Sequence, residues 1–321
     1  MADPALCPSD EASAPDGAVS VELERILVDG MRLRLGHRGP LAGAARGTVV
    51  VLTGRAEFIE KYEETIGELA TEGFAVAVFD WRGQGGSDRF LDRRHRGHVV
   101  RIEDYLADLA AVLEHLERRR LPRPFLMLGH SMGGHVGLRY LRLEPERFAG
   151  AVLSAPMLGI RLPMPAAIAH AICTVAIRLG AAHCYAPGQG DFHPERLARE
   201  FHRLTSCEMR FQDLCRRLER MPELALGGVT YGWLAASLRS IALLRQPGFV
   251  EAITTPVLVC QAGRERIVSN RAMTEITRRL PRGRLLVLPE ARHELLRERD
   301  PIRQQFLKAF GAFADEVTRR R

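Results

Sequence analysis

Three short stretches carry residue types suited to acyl transfer. The first is Gly129-His130-Ser131-Met132-Gly133-Gly134, which follows the apolar run Phe125-Leu126-Met127-Leu128 and precedes a helix-period segment over 136–143. Strand, sharp turn and helix around a G-x-S-x-G core bend the chain so tightly that a serine hydroxyl stands clear of the sheet edge. Gly129 and Gly133 suit that bend, because a Cβ at either place would collide where the turn and the helix approach. The second stretch, Gln261-Ala262-Gly263-Arg264-Glu265-Arg266-Ile267-Val268, offers Glu265. The third, Pro289-Glu290-Ala291-Arg292-His293-Glu294, offers His293.

A serine hydroxyl is a poor nucleophile until a base takes its proton, and the base needs a third group to orient it. On a strand–turn–helix scaffold of this kind the chain order is nucleophile, acid, histidine. That order assigns Ser131 as nucleophile, Glu265 as acid and His293 as base. Singly, Glu265 would read as a surface carboxylate beside an arginine, and His293 as a loop histidine. In the required order, each at the carboxyl end of a strand, they read as a triad. Negative charge develops on the substrate carbonyl, so backbone N–H groups must already point at it. Met132, next after the nucleophile, supplies one; Arg55, after the strand-like run 48–52, supplies the other, with Thr53-Gly54 permitting the turn. Four residues are candidates for contact with substrate: His130 in the turn, His135 on the following helix, and Tyr231 and Trp233 further along. His130 also reads as support for the turn, and His135 equally as a packed helix histidine.

Positioning these groups requires a layered α/β frame. Residues 21–28 and 31–35 read as strands joined at the hairpin signal Asp29-Gly30. Short continuous apolar runs at 48–52, 74–79, 125–128 and 149–153 read as strands buried on both faces, separated by helix-period segments at 59–71 and 103–119. That alternation predicts a mostly parallel sheet covered on both sides. From 156 to 228 the pattern changes to helical segments punctuated by proline, which predicts a helical cap inserted after the sixth strand. A helix over 231–244 returns to the core, strands at 256–261 and 284–288 flank a helix at 270–280, and a last helix spans 301–318. The expected organisation is a disordered tail over 1–18, hydrolase core over 19–155, cap over 156–228 and core again over 229–321.

With 46% hydrophobic residues in 321, the chain can bury a large core. Its net charge of +7 is carried almost wholly by arginine, the lysines being Lys61 and Lys308. Arg118-Arg119-Arg120, Arg216-Arg217 and Arg319-Arg320-Arg321 read first as solvated faces, and second as contacts for an anionic membrane surface. No aromatic residues alternate with them, so nucleic acid is not an expected partner. The six cysteines include no C-x-x-C pair, and the N-terminus lacks a basic-then-apolar leader pattern, so a cytoplasmic location with reduced thiols is expected, peripheral to the membrane at most. A disulfide within the group at 173–215 stays open. His95 and His98 lack a carboxylate cluster and read as loop-ordering residues rather than a metal pair.

Further motifs accompany the triad: Gly54 with Glu57 and Lys61-Tyr62, Asp80-x-Arg82-Gly83-Gln84-Gly85-x-Ser87, His95-Arg96-Gly97-His98-Val99 and Ala155-Pro156-Met157. With these, the chain resembles the α/β-hydrolases of the monoacylglycerol lipase and bacterial lysophospholipase branch, which often carry the label serine aminopeptidase S33. The resemblance spans about 22–316 and departs at two points. Thr53-Gly54 stands where many relatives have His-Gly, and Glu265 where most have Asp. It implies an α/β-hydrolase fold, hydrolysis of an ester bearing one acyl chain, a lipid substrate, and no metal or organic cofactor. The cap is then expected to supply an apolar groove, for which Ala166, Ile168, Ile172, Val175, Ile177 and Leu179 are available, unless they serve only to pack cap on core. An aminopeptidase or amidase on the same triad would need an acidic pocket for a free amine. A non-catalytic binding member of the fold is disfavoured by the intact Ser131 and His293.

Overall fold

The computed structural model describes residues 21–319. The tail over 1–18, Cys7 and the terminal Arg320-Arg321 lie outside the described residues. The hairpin is β1 (Glu22–Val28) and β2 (Met31–Arg38), and its turn residues Asp29 and Gly30 both have positive φ, 50° and 78°. That is the turn whose twist matches the strands. The four apolar runs form β3 (Thr48–Leu52), β4 (Ala75–Phe79), β5 (Phe125–His130) and β6 (Gly150–Ser154), each buried along its whole length. Next come β7 (Val257–Ala262) and the more exposed edge strand β8 (Gly283–Leu288). The eight strands make one sheet in the order β1-β2-β4-β3-β5-β6-β7-β8, antiparallel only in the first two pairings.

Helices cover both faces. Ile66 and Leu69 of α1 (Glu63–Thr71) and Phe306 and Phe310 of α9 (Asp300–Arg319) pack into one core. The opposite core takes Leu109 of α2 (Ile102–Arg118), Val136 of α3 (Met132–Leu143) and Ile276 of α8 (Asn270–Arg279). This is the expected α/β-hydrolase architecture. Three boundaries differ by three residues or more from those read in the sequence. The second strand runs on to Arg38 rather than ending at 35. The segment 59–71 opens as a 3-10 turn, Ile59–Tyr62, before α1. The helix after Ser131 starts at Met132 rather than 136, so the serine itself caps it.

Between β6 and β7 run α4 (Ala166–Arg178), α5 (Pro194–Leu204), α6 (Glu208–Arg220) and α7 (Tyr231–Leu244), with no strand among the described residues there. Thr230 caps α7 by accepting a hydrogen bond from the Trp233 amide at 3.2 Å. The His95–His98 loop holds the point where the chain leaves the cap helices: Gly97 N donates to Gly228 O, Thr230 N to Gly97 O, and His98 Nδ1 meets Thr230 Oγ1 at 2.9 Å.

The chain reverses its direction of travel across the sheet between β4 and β5, which lie on opposite sides of β3. A crevice opens at the carboxyl ends of strands at such a switch point. Leu52 stands opposite Gly129 in the β3–β5 register, so Thr53-Gly54-Arg55 and His130-Ser131-Met132 emerge level with each other.

Candidate active site

Ser131 sits between β5 and α3 with φ 49° and ψ −113°, a conformation that L-residues adopt only at a cost. The surrounding packing imposes it. An added Cβ on Gly133 would lie 2.2 Å from the Leu52 carbonyl oxygen and 2.5 Å from that of Thr53. Only glycine lets α3 start this close to the end of β3.

The three residues read from separate stretches meet here. His293 Nε2 is 3.0 Å from Ser131 Oγ, and His293 Nδ1 is 2.7 Å from Glu265 Oε2. All three side chains are buried. The other carboxylate oxygen of Glu265 accepts from the amides of Ile267 at 2.7 Å and Val268 at 3.2 Å. Burial alone would raise the Glu265 carboxyl, but His293 and those two amides outweigh it and hold it below the usual carboxylate range. An ionised Glu265 fixes the proton of His293 on Nδ1 and leaves Nε2 as acceptor toward the serine. Met132 opens α3, so its amide is among those a helix leaves without an internal acceptor. The Arg55 amide makes no hydrogen bond among the described residues, and Arg55 lines the same cavity as Ser131.

A second, buried network joins the loops that carry these groups. Glu57 accepts from the Gly54 amide, from Tyr62 Oη at 2.5 Å and from Lys61 Nζ at 2.7 Å; Lys61 Nζ also reaches Glu294 Oε1 at 2.7 Å. Burial would raise the Glu57 carboxyl; the Lys61 charge and the hydrogen bonds from Lys61 and Tyr62 hold it down to about 2. Lys61 thus ties the turn holding Gly54 and Arg55 to the loop holding His293. Gln84 braces the same turn, donating to Gly54 O at 2.9 Å and accepting from Ala56 N at 3.2 Å. Removing one partner of a buried ion pair strands the other. Lys61→Met is therefore expected to cost about 3–5 kcal/mol of stability, checked by urea denaturation; a loss below about 1 kcal/mol would refute the buttress.

His130 is buried in the turn, 3.1 Å from the Ser154 carbonyl oxygen through Nδ1, with its ring 4.9 Å from that of His293. Burial lowers its pKa, so it stands as a neutral prop beside the His293 ring. Tyr231 and Trp233 both line the cavity. His135 does not border it, contrary to one reading of its sequence position. Its Nε2 meets Ser240 Oγ of α7 at 2.6 Å, and burial and Arg139 push its pKa down to about 3.

The cavity has a volume of about 560 Å³ and lies between the sheet's carboxyl edge and the cap helices. Its apolar wall includes Ile172, Cys173, Leu214, Leu218 and Leu226. Of the apolar residues read on α4, only Ile172 reaches it. Ile168, Val175 and Leu179 are 53%, 56% and 80% exposed, because α4 buries only Ala169 and Cys173. No disulfide forms among the five described cysteines. No helix among the described residues is long and apolar enough to cross a membrane.

Comparison with known proteins identifies the family. Over 270 residues the chain is 32% identical to the probable lysophospholipase L2 of Haemophilus influenzae, covering 84% of each. It is 34% identical over 277 residues to lysophospholipase L2 of Escherichia coli, covering 83% of this chain and 79% of that protein. A soluble variant of the Saccharomyces cerevisiae monoglyceride lipase, solved with a substrate analogue, superposes with a TM-score of 0.76 over 95% of this chain and 99% of its own, at 18% identity. That last likeness bears on fold alone. The model of the family described as serine aminopeptidase, S33 matches residues 43–300, and the chain belongs to that family of α/β-hydrolases.

Proposed function

We propose that the protein is a serine hydrolase that cleaves the carboxylic ester of a single-acyl lipid through an acyl-enzyme. The observation that carries this reading is the unbroken chain Glu265–His293–Ser131 at the wall of a largely apolar cavity. His293 Nε2 takes the Ser131 proton as Oγ attacks the acyl carbonyl. The amides of Arg55 and Met132 receive the oxyanion. His293 then gives its proton to the departing alkoxide, which leaves as the alcohol. Water enters, loses a proton to the same nitrogen, and attacks the acyl-serine. The fatty acid leaves and Ser131 regains its proton. Glu265 stabilises the imidazolium formed in each half-reaction.

The cavity disfavours the aminopeptidase reading suggested by the family's label. A free amine needs an unengaged carboxylate, and each acid lining the cavity has a partner. Glu200 pairs with Arg203, Glu57 and Glu294 share Lys61, and Asp191 accepts from Tyr185. The names of the relatives, lysophospholipase L2 and monoglyceride lipase, support the lipid ester. The exposed apolar face of α4, ending at Arg178, supports a contact with an anionic bilayer at which the protein would meet such a substrate.

One panel tests both statements. Lysophospholipids, monoacylglycerols, p-nitrophenyl esters and aminoacyl amides are compared by kcat/KM, and binding to anionic vesicles is followed by co-sedimentation. Turnover of the esters is expected to exceed that of the amides by orders of magnitude, with vesicle binding lost at high salt. Faster turnover of an aminoacyl amide would sink the esterase reading, and no vesicle binding at low salt would remove the membrane contact.

A further inference from the structure

Several buried or half-buried arginines in this protein are neutralised by carboxylates. Arg34 lies between Asp80 and Glu60, Arg82 against Asp108, Arg217 between Glu63 and Asp213, and Arg303 against Glu68. Two partly exposed arginines on the cavity wall are not paired in this way. Arg55 and Arg196 are each only partly exposed, and neither has a carboxylate partner among the described residues.

Both guanidinium groups are nevertheless held in place. Arg55 Nη1 donates to the Gly227 carbonyl at 2.8 Å, and its Cζ lies 5.8 Å from the Trp233 ring centroid. Arg196, on α5, donates through Nη2 to the Gly188 carbonyl. The two carbonyls belong to two loop segments that meet in one seam, where Gly228 N donates to Gly190 O at 2.7 Å. The seam needs glycine: a Cβ on Gly227 would meet Gly190 O at 2.6 Å, and one on Gly228 would meet Gly190 N at 2.9 Å. Two cations thus flank one short backbone seam on the cavity wall. Desolvation, and then the nearby Arg196 charge, push Arg55 down to about 10, so it keeps its charge at neutral pH without a counter-ion of its own.

We propose that Arg55 and Arg196 seat the phosphate of a lysophospholipid, so that the enzyme prefers phosphate-bearing single-acyl lipids to neutral monoacylglycerols. This rests on the ester-hydrolase reading above. An uncompensated guanidinium presents a planar fork of donors suited to phosphate oxygens. The reach also fits. As many covalent bonds separate the Arg55 amide nitrogen, at the oxyanion position, from its guanidinium carbon as separate an sn-1 acyl carbonyl carbon from the phosphorus of a lysophospholipid. The acyl chain then lies along the apolar wall at Leu214 and Leu218.

The test compares lysophosphatidylcholine and a monoacylglycerol of the same acyl chain in one neutral detergent, where neither lipid gives the micelle a net charge. Arg55→Met and Arg196→Met are each expected to lower the ratio of kcat/KM, lysophosphatidylcholine over monoacylglycerol, by about tenfold or more, and Arg55→Lys to restore part of it. In the wild type, sn-glycerol 3-phosphate is expected to inhibit hydrolysis of a soluble p-nitrophenyl ester more strongly than inorganic phosphate does, and both variants to lose that inhibition. Arg196→Met keeps the assignment testable if Arg55→Met disturbs the oxyanion turn, since Arg196 lies on the cap. An unchanged ratio in both variants, or equal losses on both lipids, overturns the phosphate seat while leaving the hydrolase reading intact. Inhibition by inorganic phosphate equal to that by glycerol phosphate, with the ratio unmoved, marks a site for free anions and likewise overturns it. If the wild type cleaves neither lipid, the ester-hydrolase reading itself has failed.

Discussion

Ser131→Ala is expected to lower kcat on a p-nitrophenyl ester by about 10⁴-fold or more while leaving the protein folded. The two halves of that expectation have separate physical grounds. The loss follows because the hydroxyl is the proposed attacking atom and the group that His293 Nε2 meets, at 3.0 Å. What remains is water attack on an ester polarised by the proposed oxyanion amides of Arg55 and Met132, which is far slower than acyl transfer to a held oxygen. The fold survives because the strained φ of 49° is imposed by the packing of Gly133 on Leu52 and Thr53, not by the serine side chain. Alanine carries the same Cβ and meets the same backbone. The variant loses one hydrogen bond, worth about 1 kcal/mol, so its thermal midpoint should shift by a few degrees at most. An activity-based phosphonate should label the wild type at this residue and leave the variant unlabelled. Turnover within tenfold of wild type, or labelling of the alanine variant, would remove Ser131 from the mechanism.

Much of the frame was legible because its signals are local. The runs at 48–52 and 125–128 are continuous and apolar, and the strands they became are buried from end to end. The turn around Ser131 announces itself through glycines whose missing Cβ atoms are required by contacts a few residues away, or directly across the β3–β5 register. What was not legible depends on partners far off in the chain. Lys61 was visible as a rare lysine within a family motif, yet its tie to Glu294 spans 233 positions. Arg55 was singled out for its backbone amide, and nothing in the sequence says that its side chain ends beside Gly227 without an acid. His135, close to Ser131 in the chain, was open to two readings, pocket residue or packed helix histidine. On a helix, however, a neighbour four residues on lies below the first, and here that side meets α7. The apolar residues of α4 mislead in a different way. Hydropathy gives the length of an apolar stretch but not which surface covers it, and most of this one is covered by nothing among the described residues.

Glu265→Gln is the sharper test, because it leaves the side chain's length and volume in place and changes only what its two end atoms can do. In the wild type one oxygen accepts from the Ile267 and Val268 amides, at 2.7 and 3.2 Å, and the other accepts from His293 Nδ1 at 2.7 Å. A glutamine has a single oxygen. Two amide donors, that of Val268 buried and that of Ile267 partly so, demand it, since an NH₂ group turned toward them would set donor against donor and leave both amides unsatisfied. The oxygen therefore stays with Ile267 and Val268, and the NH₂ group faces His293. Nδ1 must then act as acceptor, so the ring proton moves to Nε2, the atom that has to take the proton of Ser131. The base is thereby blocked while every heavy atom keeps its place. A fall in kcat of about 10⁴-fold with little change in KM is the expected result, read from steady-state kinetics beside a thermal melt close to wild type. Glu265→Asp should behave differently. It retains the charge but is one methylene shorter, so it can serve the loop amides or His293 but not both at full strength. Its turnover should fall between wild type and the glutamine variant. If the glutamine variant instead turns over within tenfold of wild type, the imidazole is being oriented by some other group, and the 2.7 Å contact between Glu265 and His293 serves only to hold two loops together.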